Sequence, residues 1–118
     1  MDEEQQLRLA NRISDGLPEV TRSEWMRWTQ IAHTYGLKRA IELAGKLGND
    51  VTLRPAIKQS NQSIANTMQR YVQDLSGLNV IEQRIAIGYV SRILMVKAAA
   101  LNSLKRKSED RYNESLVI

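Results

Sequence analysis

An all-α fold, a compact bundle of about five helices ending in a long and largely apolar one, follows from three observations. Apolar residues recur at helical rather than strand spacing, only two prolines (Pro18 and Pro55) interrupt the chain, and Gly or Asn clusters fall at intervals suited to helices. No run of strict polar/apolar alternation competes. At 118 residues the chain fits one domain, large enough to bury about two thirds of the surface its unfolded form exposes.

A first helix is expected over residues 3–14, with Leu7, Ala10 and Ile13 on one face, ended by Asp15-Gly16-Leu17-Pro18. Thr21-Arg22-Ser23-Glu24 has the form of a capping box, in which the hydroxyl and the carboxylate each satisfy an orphan backbone N–H. The second helix then runs to Tyr35, where Gly36 can adopt the positive φ of a C-terminal cap. Leu37, Ala40, Ile41, Ala44 and Leu47 mark a third, closed by Gly48-Asn49-Asp50. Thr52 or Arg54, followed by Pro55, opens a fourth. Its Ile57, Ile64, Met68, Tyr71, Val72 and Leu75 fall within roughly 100° of arc, opposite Lys58, Gln59, Gln62, Asn66, Gln69, Arg70 and Gln73.

Ser76-Gly77 breaks the chain, and the last helix is expected from Val80 to Lys107. Between Ile85 and Leu101 it is apolar nearly all round, as befits the central rod of a bundle or a rod shared with a neighbouring subunit. Residues 1–107 thus form the domain, and 108–118 a polar, frayed tail.

Catalytic chemistry finds no foothold. The chain has no cysteine, so thiolate nucleophiles, thiolate metal sites and disulfides are excluded together, in keeping with a reducing cytoplasm. Its one histidine, His33, has its nearest carboxylates nine residues away on either side, Glu24 and Glu42, and neither spacing shares its helical face. No nucleophile elbow or phosphate-binding loop is present, and Asp2, Glu3 and Glu4 are explained as favourable charges at a helix start. No cofactor or metal is expected. The acidic start MDEEQQ lacks the form of a signal peptide, and no uninterrupted apolar run approaches 18 residues, so no membrane span is expected.

Charge is the stronger lead. Residues 1–50 carry seven basic and eight acidic side chains. Residues 51–107 carry nine basic ones (Arg54, Lys58, Arg70, Arg84, Arg92, Lys97, Lys105, Arg106 and Lys107) against Asp74 and Glu82, a net of +7. Signs segregated in this way project a field that attracts polyanions, whereas solubility alone needs no segregation. These nine residues are the candidate nucleic-acid contacts, made to phosphate rather than to base edges. Arg92 stands out among Ile85, Tyr89, Val96 and Ala99, as a residue that snorkels to the surface or meets a phosphate or a partner.

Two aromatic and helical motifs bear on the same question. Trp25 and Trp28 lie one turn apart, and burial in the core outweighs a base-stacking platform because exposed indoles forgo a large apolar gain. Ile31 to Leu37 is half of a helix-turn-helix pattern, with Ala32 and Gly36 in place. Glu42 and Gly45 occupy its later positions, so docking of the second helix as a sequence reader is not expected.

In its size, five helices, long apolar last helix and basic face, the chain resembles the small helical subunit of CRISPR interference effector complexes. The passage Tyr35-Gly36-Leu37-Lys38-Arg39-Ala40-Ile41-Glu42-Leu43-Ala44-Gly45-Lys46 is similar to a helix-opening "GL" segment in some of those subunits. The resemblance implies a non-catalytic subunit, present in several copies, that touches RNA or displaced DNA through Lys and Arg without reading sequence. Its partners are then nucleic acid, other protein subunits and copies of itself. The alternatives are a protein-interaction or scaffold module and, behind it, a helix-turn-helix regulator.

Overall fold

The computed structural model describes the backbone of residues 1–116 and the side chains of residues 1–106. Five α-helices follow in order: α1 (Glu3–Asp15), α2 (Arg22–Tyr35), α3 (Leu37–Gly48), α4 (Pro55–Ser76) and α5 (Val80–Leu116). Among the described residues there is no strand. Helix α3 lies along α4, α2 touches α3, α4 and α5, and α1 packs mainly on α5. One core joins them, from Leu9, Ala10, Ile13 and Leu17 through Trp25 and Trp28 to Ile64, Met68, Leu75, Ala86, Ile87 and Val90.

The helix starts show which local signals act. Asp2 caps α1 and forms a complete capping box with Gln5: each side chain accepts the other residue's backbone N–H, at 2.8 and 3.1 Å. Asn79 and Glu82 do the same at the start of α5. At α2 only half of the expected box forms. Thr21 Oγ1 accepts the Glu24 N–H at 3.3 Å, but the Glu24 carboxylate turns instead to Arg27 and to Asn61 Nδ2. The freed Thr21 N–H donates to Ser60 Oγ on α4 at 3.1 Å. A tertiary partner has displaced a local one. At α4 neither candidate cap acts: Arg54 holds the capping position without a side-chain bond, and Thr52 is bound to Asp50. Those two bonds from Thr52 hold the Asp50 carboxyl below its ordinary titration range.

Gly36 takes φ +92°, the left-handed conformation, and by itself both ends α2 and begins α3. The one-residue junction departs from the three- or four-residue turn of a helix-turn-helix. Glu42 is exposed while Ala40, Ile41 and Ala44 are buried, so α3 spends its apolar face on the bundle.

Three expectations need correcting. On α1, Leu7 is exposed and Leu9 buried, because the core-facing stripe is centred between Leu9, Ala10, Ile13 and Leu17 and leaves Leu7 at its edge. Helix α5 is not a central rod. Of its described residues only Ala86, Ile87 and Val90 are buried, and beyond Ala98 it runs past the end of the bundle, with every residue from Met95 to Arg106 exposed. The helix also continues to Leu116 rather than stopping at Lys107, since no Gly or Pro follows Gly88 and the polar residues there are ordinary helix formers. The side chains of the expected tail, 108–118, lie outside the described residues. The radius of gyration, 16.9 Å against about 13.5 Å for a compact chain of this length, records this overhang.

Polar side chains on α4 hold the ends of α1 and α3 and one another. Thr67 Oγ1 donates to Gly16 O at 2.8 Å, Gln62 Nε2 to Gly48 O at 2.7 Å, and Asn61 Nδ2 to Ile57 O at 2.8 Å. No buried side-chain nitrogen or oxygen among the described residues lacks a partner. Gly45 is different: a Cβ built on it meets nothing within 4 Å, and its backbone is helical. Gly45→Ala is therefore expected to stabilise the fold by about 0.5–1 kcal/mol, read as a rise in the urea midpoint at unchanged m-value.

Candidate nucleic-acid interface

The nine candidate cations do not form one patch. Arg54 and Lys58 stand a turn apart at the start of α4, Arg54 exposed and Lys58 half-buried along a groove with Val51, Leu53 and Pro55. Asp50 is close enough to Lys58 for the ammonium to favour its charged form. Arg70 is exposed farther along α4, on the other edge of the glutamine-rich face. Arg84 and Arg92, two turns apart, line a shallow groove on the outer side of α5 with Ile81, Ile85, Gly88 and Tyr89. Lys105 and Arg106 are exposed on the overhang. The side chain of Lys107 lies outside the described residues.

Lys97 stands apart from the rest. Its Nζ donates to Asp15 Oδ1 at 2.9 Å and to Ser14 Oγ at 3.3 Å, both at the end of α1. A carboxylate from the acidic half thus neutralises it, which counting charges by half did not foresee. Among the described residues, none of the other candidates has a carboxylate within salt-bridge distance.

Other residues now join the picture. Lys38 and Arg39, at the start of α3, border a groove with Tyr35, Gly36, Ser76 and Gln83. They belong to the half whose charges sum to −1, and that sum hid them. Glu3 of α1 reaches α5, where its Oε1 accepts the Tyr89 hydroxyl at 3.3 Å. Partial burial pushes the Tyr89 phenol up, and the Glu3 carboxylate adds to the shift.

Trp25 and Trp28 are each only 2% exposed, stacked with ring centroids 5.2 Å apart at 24°. The Trp25 Nε1 donates to Ser91 Oγ at 2.8 Å and the Trp28 Nε1 to Ala40 O at 3.0 Å. They are core residues, and no base can stack on them. His33 is exposed, and the described residues contain no group of three metal-ligating side chains.

The face of α5 turned away from the bundle is apolar as well as basic. Ile81 is 70% exposed and Val96 69%, with Ile85 and Met95 also open to solvent, and on the overhang Leu101 and Leu104, on the side that faces the bundle farther back, are bare as well. Taken by length and composition, Val80–Arg106 could cross a membrane: an 18-residue stretch has mean hydropathy 1.3, and 17% of it is buried. The expectation drawn from uninterrupted apolar runs overlooked it, because Arg92 and Lys97 break the run without lowering the average enough.

No family model, curated protein or solved structure matches the chain.

Proposed function

We propose that this chain is a non-catalytic nucleic-acid-binding subunit of a larger cytoplasmic ribonucleoprotein assembly, of the kind its resemblance to CRISPR small helical subunits implies. One observation carries the reading. From Gln83 to Arg106, α5 contains no carboxylate, and Arg84, Arg92, Lys105 and Arg106 have no ion-pair partner among the described residues. Cations carried along one helix suit a phosphate backbone, which asks for no base-specific contact. Arg54, Lys58 and Arg70 on α4 offer further contacts of the same kind.

Fluorescence anisotropy of labelled single- and double-stranded oligonucleotides at several salt concentrations tests this. Binding should be indifferent to sequence and fall steeply with salt. Reversing Arg84, Lys105 and Arg106 together to Glu should flatten the logarithmic salt slope by about 2–3, since each lost phosphate contact removes about 0.7–0.9. An absence of binding at low salt would sink direct recognition by this chain. The exposed apolar residues of α5 favour a second reading, a protein-interaction module. The two are compatible, because a subunit that lines a polyanion must also hold its neighbours.

A further inference from the structure

We infer that two copies of this chain pair through α5, antiparallel, about a two-fold axis level with Val90. Going beyond the polyanion reading, this pairing assigns Arg92 to a protein contact. It leaves Arg84 at the edge of the seam, and Lys105 and Arg106 beyond it, for phosphate.

The seam is written on the outer face. Ile81, Ile85, Gly88, Arg92, Met95 and Ala99 recur at alternating spacings of four and three, the pattern of a helix that packs along a second helix. They lie opposite the buried Ala86, Ile87 and Val90 and span about 27 Å. Ile81 is 70% exposed, and Ile85 and Met95, the latter at the edge beside Trp25 and Met26, keep 41% and 46% of their surface open.

Charge chooses the occupant and its direction. A parallel pairing sets each residue against its own counterpart, with Arg84 on Arg84 and Arg92 on Arg92, and no carboxylate on this stretch of α5 to offset them. The antiparallel register centred on Val90 sets Ile85 against Met95, Ile81 against Ala99, and Arg92 against Gly88. Space over Gly88 is open, since a Cβ built there meets nothing within 4 Å. Beside that space the Tyr89 hydroxyl holds the Glu3 carboxylate at 3.3 Å. Among the described residues of one chain neither Glu3 nor Arg92 is in a salt bridge. Arg92 of the partner subunit, entering over Gly88, reaches Glu3, and the two-fold axis makes the contact twice. The chain supplies both halves of a complementary pair and leaves them apart within itself.

The absence of cysteine makes the register directly testable. Ile85→Cys and Met95→Cys, both at exposed positions, are oxidised separately and as an equimolar mixture. The mixture should form disulfide-linked dimers and neither variant alone should, because like positions lie about 15 Å apart along the axis. Sedimentation equilibrium of the native full-length chain should show a dimer. Glu3→Arg and Arg92→Glu should each weaken it by about tenfold or more, and mixing the two variants should restore it, since both contacts are then attractive again. Gly88→Ala should weaken the dimer while stabilising the monomer, whereas Gly45→Ala should only stabilise. Circular dichroism checks that each variant folds. A native chain that stays monomeric at high concentration overturns the inference, whether or not it adsorbs to anionic lipid vesicles. So does cross-linking of either cysteine variant with itself, or a charge-reversed mixture no tighter than its components.

Discussion

Trp28→Ala should destabilise the fold by about 3–5 kcal/mol, the usual cost of removing a buried large aromatic side chain. Three losses coincide at this position. The indole is almost wholly buried, it stacks on Trp25, and its Nε1 donates to Ala40 O inside α3. Collapse cannot refill the space easily, since Ala32, Ala40 and Ala44 beside it in the core are too short to reach in. Trp28→Phe separates the causes. It keeps a ring against Trp25 and gives up the hydrogen bond and part of the volume, so it should cost about 1–2 kcal/mol. Urea unfolding followed by far-UV circular dichroism measures both. An alanine variant within 1 kcal/mol of the native chain would mean that the two indoles do not share a rigid core.

Gly48→Val should cost about 3 kcal/mol for a different reason, contact rather than cavity. Here α3 ends against α4, and a Cβ would stand 2.7 Å from Gln62 Cγ, 3.0 Å from its backbone nitrogen and 3.1 Å from its Cα. A flexible side chain can swing aside, but backbone in the middle of a helix cannot. The helices must part, and the bond from Gln62 Nε2 to Gly48 O, 2.7 Å, goes with them. Gly48→Ala should show the same sign at about half the size, in contrast to the gain expected at Gly45 three residues earlier. A thermal melt resolves the pair, because each kcal/mol moves the midpoint of a domain this size by about 4 °C.

Sequence periodicity read the helices well and their surroundings poorly. Pro18, Gly36, Pro55 and Gly77 act locally, so every break between helices was legible. The half-formed capping box was not, because Ser60, which takes the Thr21 N–H, is 39 residues away. Nor was the buried edge of α1, where the difference between Leu7 and Leu9 depends on where α5 lies. An all-round apolar helix reads the same whether it runs through a core or past it, and only the packing of Ala86, Ile87 and Val90 decides. The candidate site divides along the same line. That Arg84 and Arg92 share a face follows from a spacing of two turns. That Lys97 spends its charge on Asp15 and that Glu3 reaches Tyr89 are pairings across 82 and 86 residues, which no local pattern encodes.

The docking of α1 onto α5 also sets an order of events during synthesis. Helix α1 is translated before α5, which covers it, and at ordinary elongation rates roughly 4–15 s separate them. Helices α2, α3 and α4, which touch one another, can assemble in that interval. Helix α1 touches α4 only near its end, and the side of it that packs on α5 waits in solvent until Ala86, Ile87 and Val90 are translated. A nascent chain stalled before Val80 therefore displays an amphipathic helix with its apolar side bare. That is the kind of surface holdase chaperones bind, and elongation through α5 is the step that covers it.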